Sequence, residues 1–320
     1  MKILVTGCAG FIGFHLTKKL LEKNYKVFGV DNLSKYYDIK LKNSRIRILS
    51  KFNNFSFKKK DITEPSFLNF YKSKKIKIIV HLAAQAGVRY SQQNPRAYID
   101  TNLIGSFNIL ELSKKLKLKH LLMASSSSVY GNSKKFPLKE NFNTDHPSSL
   151  YAATKKSTEV ISYTYSKNFK LPITCLRFFT IYGPFGRPDM SLFKFTNSML
   201  KNKSVELYNY GIHTRDFTFV DDAVDMVMKL IKKPSNETVP FNVFNIANSK
   251  PVKLFHYIKL LEKILKLKAK FKKLPLQKGD VFKTHGSNIK IIRKIGRYKS
   301  VKIEEGLSLF VEWYKKYYSK

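Results

Sequence analysis

The first thirteen residues constrain this chain more than any other stretch. A short apolar run, Lys2–Thr6, breaks at Gly7 and passes through Gly10 and Gly13 into Phe11–Lys23, where Phe11, Ile12, Leu16, Leu20 and Leu21 fall on one helical face. A strand, a glycine turn and an amphipathic helix in direct succession open a βαβ unit. Glycine at these positions lets the backbone turn tightly, approach a diphosphate and pack helix on strand, and the helix N-terminus then faces the phosphate charge. The spacing is Gly-x-x-Gly-x-x-Gly, with Phe11 and Ile12 inside it. Asp31 follows Gly13 by 18 residues, at the end of a second predicted strand, Lys26–Val30. An acid there accepts hydrogen bonds from an adenosine ribose and repels a 2′-phosphate, so NAD is expected rather than NADP.

The rhythm continues along the chain. Strands are predicted at Phe55–Lys59, Ile76–Leu82, His120–Ala124 and Ile173–Phe178, with helical stretches between them, Tyr151–Lys167 included. This alternation predicts the α/β class, a doubly wound parallel sheet of Rossmann-like type with a smaller C-terminal substrate domain. Turn residues at Gly186-Arg187-Pro188, Asn209-Tyr210-Gly211 and Lys233-Pro234 mark a looser second part. Residues 1–180 are therefore expected to bind NAD and residues 181–320 the substrate, with some later segments returning to the first domain. Asn32, Asp61, Ile62, Leu82, Ala83, Ala84 and Asn102 are expected to join the cofactor contacts along the sheet edge.

Composition excludes several classes. A chain of 320 residues with 43% hydrophobic and 14% aromatic residues is neither disordered nor fibrous. No apolar run approaches the roughly 18 residues of a membrane span, and Met1-Lys2 leads into too short a run for a secretion signal, so a cytoplasmic protein is expected. Cys8 and Cys175 are the only cysteines and the seven His are scattered, which excludes a disulfide scaffold and predicts no metal. Lys+Arg 60 against Asp+Glu 22 gives a net charge of +38. Only nine of the 60 are Arg, the side chain suited to bidentate phosphate and base recognition, so solvated lysines rather than nucleic-acid binding are expected.

Tyr151 and Lys155 stand four apart at the start of a helix and share a face. Ser125-Ser126-Ser127-Ser128 follows the fifth strand, at the carboxyl edge where such sheets bind ligands. A phenol of pKa about 10 must fall by roughly 3 units to act as a base near neutrality. One cation about 4 Å away supplies roughly the 4 kcal/mol this needs at an effective dielectric near 20. Lys155 is expected to be that cation, and Ser126 to hydrogen-bond the reacting hydroxyl and share its proton with Tyr151.

With these residues placed, the chain resembles the extended short-chain dehydrogenases (the NAD-dependent epimerase/dehydratase family) and, within them, the nucleotide-sugar 4-epimerases. The resemblance spans nearly the whole chain, through the glycine loop, Ser-Ser-Ser-Val-Tyr-Gly at 126–131, Tyr151-x-x-x-Lys155 and Arg215-Asp216-Phe217-Thr218. The segments Ala83–Ser91, Leu176–Pro184 and Gly186-Arg187-Pro188-Asp189-Met190 are similar to the UDP-glucuronate 4-epimerases in particular. It implies a Tyr151 base, a Lys155 that also holds the nicotinamide ribose, and a Ser126 partner. It further implies substrate contacts from Arg89, Ser127, Ser128, Thr180, Arg187, Arg215 and Asp280, with Thr180 and Arg187 on the uronate carboxylate and Arg215 on the UDP diphosphate.

The chain departs from its relatives at three places. Ser127-Ser128 replaces the Asp-Glu pair of the sugar-nucleotide dehydratases, and Ser128 the Glu of the UDP-glucuronate decarboxylases. Thr180 stands where galactose-type epimerases carry Asn. Gln277 replaces the Arg of an Arg-x-Gly-Asp motif, leaving Asp280 for the uridine ribose. UDP-glucose or UDP-N-acetylhexosamine epimerisation, UDP-glucuronate decarboxylation and, from another class, a non-catalytic NAD-binding scaffold remain open. The family further implies a homodimer in which Asn94–Lys117 and Tyr151–Lys167 form a four-helix bundle. His81 is expected in the core, Cys8 as a small filler, and Phe310, Trp313, Tyr314, Tyr317 and Tyr318 on the packing face of a last helix.

Overall fold

In the computed structural model, which describes residues 1–318, seven parallel strands form one sheet. Their spatial order is Phe241–Ile246, Ile173–Phe178, His120–Ser126, Ile78–His81, Lys2–Thr6, Lys26–Asp31 and Phe55–Lys59. The winding direction reverses between Lys2–Thr6 and Ile78–His81, which opens a crevice outside the carboxyl ends of the strands. Register brings those ends level. Thr6 pairs with Val30 on one side and His81 on the other, and Ser126 with Phe178. The segments beginning at Gly7, Asn32, Leu82, Ser127 and Phe179 therefore all leave one edge.

Alternation along the strands feeds two layers. Ile3, Val5, Val80 and Leu122 face the helix Phe11–Glu22 and the helix Val220–Ile231, meeting Phe14, Leu16, Val224 and Val227. Leu4, Ile79, Leu121 and Met123 face the other way, onto Phe67, Tyr71, Ile109 and Leu112. From Thr180 on, the chain adds a three-stranded sheet (Thr180–Tyr182, Thr214–Phe219, Pro251–Lys253) and a pair (Val205–Leu207, Phe271–Lys273). The strand Phe241–Ile246 returns to the edge of the large sheet beside Ile173–Phe178. The last helix, Ile303–Tyr318, buries Phe310 and Tyr314 and leaves Trp313 half-buried.

One expected helix is broken. Asn94 caps a short helix, Pro95–Tyr98, by accepting the Ala97 N–H, and Pro95 at its first turn ends the preceding segment. A π-helical turn over Ile99–Ile104 then leads into Gly105–Leu116.

The helix Leu150–Phe169 is fixed to the sheet by a buried ion pair. Arg177 Nε and Nη2 donate to Glu159 at 2.9 and 2.8 Å, and Ser125 Oγ donates to the same carboxylate. Removing one partner leaves a buried unpaired charge. Arg177→Met is expected to cost about 3–5 kcal/mol in urea unfolding, and the added Glu159→Met to recover much of it.

Candidate active site

The glycine loop is held at both ends by its neighbours. Gly7, with φ +72°, donates its N–H to Val30 O at 2.7 Å, and Gly10 donates to Gly7 O at 2.9 Å. A Cβ on Gly13 would stand 2.0 Å from Gly7 O, and one on Gly7 would stand 2.8 Å from Ala83 N. Gly10 caps the helix Phe11–Glu22 without a side chain, so its first-turn N–H groups are left for an anion. Asp31 is buried against this loop. Its Oδ2 accepts from Ala9 N at 3.2 Å, its Oδ1 from Leu33 N at 2.8 Å, and the Lys42 ammonium lies 3.8 Å away. Asn32 donates to Asp61 at 2.8 Å; burial would raise that carboxyl, but bonds from Asn32 and Thr63 hold it below its ordinary value. Bare glycine backbone, an uncapped helix N-terminus and a fixed acid together fit the diphosphate and ribose of a dinucleotide. Ile62, Leu82, Ala83 and Ala84 continue the same wall.

Asn102, expected among the cofactor contacts, is engaged within the protein. It is 1% exposed and off the cavity wall, because the π-helical turn faces its amide inward. Its Oδ1 accepts from Gln85 N at 2.8 Å, while its Nδ2 donates to Gln85 O and to Thr154 Oγ1. Thr101 lines the cavity instead.

Ser149 caps the helix Leu150–Phe169 by accepting the Ala152 N–H at 3.2 Å, which sets Tyr151 and Lys155 in its first two turns. Ser126 Oγ donates to Ser128 Oγ and accepts from Ser128 N, each at 3.2 Å. Burial pushes the Tyr151 phenol above its ordinary value; a Ser126 hydrogen bond and the Arg187 charge pull it down, and Asp189 pushes it up. Among these influences Arg187 is the cation that favours the ionised phenol. Lys155, expected in that role, donates to Ala124 O at 2.9 Å beneath the fifth strand. Burial lowers its ammonium to about 8, against the pull of Cys175 and Glu159.

On the far side, Arg187 donates from Nε to Asp189 at 3.0 Å and from Nη2 through a second, shorter bond. Arg89 pairs with Asp280 at 2.8 Å and lies over the Tyr208 ring at 4.1 Å. Arg215 donates to Val281 O at 2.7 Å and Phe282 O at 3.0 Å. Burial lowers that guanidinium to about 10 although Asp280 opposes it. Nearby, His213 Nε2 and Gln277 Oε1 are buried without partners, as groups awaiting a ligand would be.

Every expected site residue except Asn102 lines one cavity of about 1080 Å³, Ser127 and Thr180 included. That exceeds the roughly 300–1,000 Å³ of a single drug-sized ligand and leaves room for a dinucleotide beside a nucleotide sugar. The same walls carry Tyr36, Lys42, Asp189, Tyr208 and His213, to which sequence reasoning gave no role. Asp189 stood inside a motif already singled out; Tyr36 and Lys42 lie in a polar segment without periodicity. Among the described residues no group of three or more His, Cys, Asp or Glu could hold a metal ion. No described helix is long and apolar enough to cross a membrane.

Residues 3–247 match the model of the NAD dependent epimerase/dehydratase family. The chain is 44% identical to Protein CapI of Staphylococcus aureus, over 100% of both chains. It is 40% identical to UDP-glucuronate 4-epimerase 2 of Arabidopsis thaliana, over 100% of this chain and 77% of the relative. Among solved structures it is similar to UDP-glucuronic acid 4-epimerase from Bacillus cereus in complex with UDP-glucuronic acid and NAD. That likeness has a TM-score of 0.93 at 32% identity and covers 99% of this chain and 100% of the other.

The clash at Gly13 sets a test of the loop. Gly13→Ala is expected to lower Tm and to release the dinucleotide, read as loss of nucleotide from the acid supernatant of the purified protein.

Proposed function

The chain belongs to the NAD dependent epimerase/dehydratase family, and on that premise we propose that it inverts carbon 4 of a UDP-sugar, interconverting UDP-glucuronate and UDP-galacturonate. One observation carries this reading: Ser126, Tyr151, Lys155, Thr180 and Arg187 line the cavity into which the glycine loop and Asp31 also open. The first three suit proton movement at a hydroxyl, and the last two offer a charged fork and a neutral donor to a carboxylate. The Arabidopsis and Bacillus relatives, by what they act on or hold, support the substrate and the cofactor.

NAD, when bound, supplies the oxidant and reductant for carbon 4 and, oxidised, a positive ring. Gly7, Gly10, Gly13 and the helix N-terminus hold its diphosphate, Asp31 its adenosine ribose, and Lys155 the ribose nearer Tyr151. Tyr151 takes the proton from the sugar's 4-hydroxyl and returns it, and Ser126 shares that hydrogen bond. The resulting 4-keto sugar acid loses carbon dioxide when the breaking bond aligns with the ketone π system. Arg187 and Thr180 hold the carboxylate out of that alignment, and Ser128 leaves out the acid of the decarboxylases. Arg89 and Arg215 face the UDP diphosphate, for which each exchanges present partners: Asp280 for Arg89, and three backbone carbonyls for Arg215.

Residues 1–180 are the NAD half and 181–320 the UDP-sugar half of this site, working in the cytoplasm. The active unit is a homodimer. Ile104 and Phe107, 48% and 46% exposed, and Val160 and Tyr163, 53% and 45% exposed, form an apolar face on the two helices expected to pair.

The decisive experiment gives the purified protein a panel of UDP-sugars without added NAD and identifies products by NMR. UDP-glucuronate is expected to yield UDP-galacturonate; net NADH instead of an epimer overturns the reading. Tyr151→Phe should lower kcat by about 10²–10⁴ while UDP-glucuronate affinity stays within about a few-fold. The Lys155 ammonium, lowered to about 8, is charged below that pH and neutral above it. Turnover should therefore fall as pH rises through about 8, and Lys155→Arg should move that descending limb upward. Phe107→Glu with Val160→Lys should convert the dimer to a monomer in sedimentation velocity.

A further inference from the structure

Behind Arg187 lies a set of groups that the mechanism above does not use. Asp189 takes one edge of the guanidinium, accepting from Nε and Nη2. Tyr36 donates its hydroxyl hydrogen to Asp189 Oδ2 at 3.1 Å, from a position 153 residues away in the chain. Tyr36 belongs to the segment that leaves Asp31, so it comes from the dinucleotide side of the cavity. The backbone makes room for it. Gly87 has φ +104°, and a Cβ there would stand 2.4 Å from the Tyr36 hydroxyl. Tyr98 donates to Ala86 O and Gly87 O and holds that turn, while the Tyr36 ring packs on Tyr90 at 4.9 Å.

The protonation states suit this arrangement. Burial, then Asp189, pushes the Tyr36 phenol up to about 12, so it donates throughout the working range. Burial would raise Asp189, but Arg187 holds it below the usual carboxylate range. Burial opposes the Arg187 charge and Asp189 overcomes it, so the guanidinium stays charged. Of its five donors two are engaged by Asp189, which leaves the Nη1–Nη2 edge for a second carboxylate.

We infer that Tyr36 and Asp189 are positioning residues for the sugar acid: they fix the plane of the Arg187 fork so that its free edge meets the substrate carboxylate, and they tie that orientation to the loop carrying Asp31. The inference rests on the UDP-glucuronate reading and deepens it. A carboxylate that is released and gripped again while the keto sugar turns needs a guanidinium that does not swing with it.

The test uses NAD-loaded Asp189→Asn and Tyr36→Phe, the second removing only a hydroxyl. Calorimetry compares UDP-glucuronate with UDP-glucose, and turnover of UDP-glucuronate gives KM, kcat and the fraction of decarboxylated pentose. Asp189→Asn is expected to weaken UDP-glucuronate by roughly ten- to a hundredfold, to leave UDP-glucose unchanged, and to raise the pentose fraction. Tyr36→Phe should act in the same direction more weakly, raising KM while kcat holds. Equal weakening of both sugars in both variants, or of neither, overturns the inference. A wild-type protein that makes no UDP-galacturonate overturns the proposed function instead, and the calorimetric comparison still decides the positioning role.

Discussion

The site depends on how the backbone is pinned where Lys2–Thr6 ends. Gly7 N donates to Val30 O at 2.7 Å on one side, and Leu82 N donates to Thr6 O at 3.2 Å on the other. Thr6 Oγ1 extends the hold, accepting from Ala83 N at 3.2 Å and meeting His81 Nδ1 at 2.7 Å. His81 Nε2 then reaches Ser106 Oγ at 3.1 Å, joining the strand ends to the helix Gly105–Leu116. Burial, and then the Lys155 charge, lowers His81 to about 3, so it is a neutral connector. Three loops that would otherwise splay are thereby held within reach of one ligand. Gly13 brings the first helix down onto the same point, which is why its missing Cβ matters.

Four of the cavity's cations are already engaged within the protein. Lys42 lies by Asp31, Arg187 is paired with Asp189, Arg89 with Asp280, and Arg215 is bonded to backbone carbonyls. Such pairs hold side chains in place without leaving bare charge in a poorly solvated wall. A polyanionic ligand meets these four by exchange, displacing an internal acceptor. Arg187 is the exception, since its second edge is free while the first stays held. The net charge of +38 adds only long-range attraction, screened beyond about 8 Å at physiological salt.

Much of the fold was legible because parallel strands announce themselves locally. Lys2–Thr6, Phe55–Lys59 and Ile173–Phe178 begin and end as the apolar runs indicated. The break at Asn94-Pro95 and the π-helical turn were not legible, since apolar periodicity continues through both and a single wide turn carries no residue signature. The inward bonds of Asn102 to Gln85 and Thr154 follow from that turn and were equally hidden. Helical spacing places Lys155 on the face of Tyr151, but the reach of its long stem to Ala124 O is set by the folded sheet and not by spacing. The Tyr36–Asp189 bond joins residues 153 apart in two loops, and only the folded sheet edge brings them together.

The protonation of Tyr151 is set by opposing neighbours. Burial alone would leave the Tyr151 phenol protonated, and a Ser126 bond opposes it. Arg187 and Asp189 act on the phenol with opposite sign, so their pair contributes less than either charge would alone. Under the proposed roles, the proton affinity of Tyr151 is thereby tied to Arg187, the group assigned to the sugar carboxylate. In the proposed complex a carboxylate on the free edge of Arg187 would add negative charge there and oppose ionisation of the phenol. Positive charge on the dinucleotide side of the cavity acts on the phenol in the opposite sense. The two halves of the site are thus coupled electrostatically through Tyr151 as well as structurally through Tyr36.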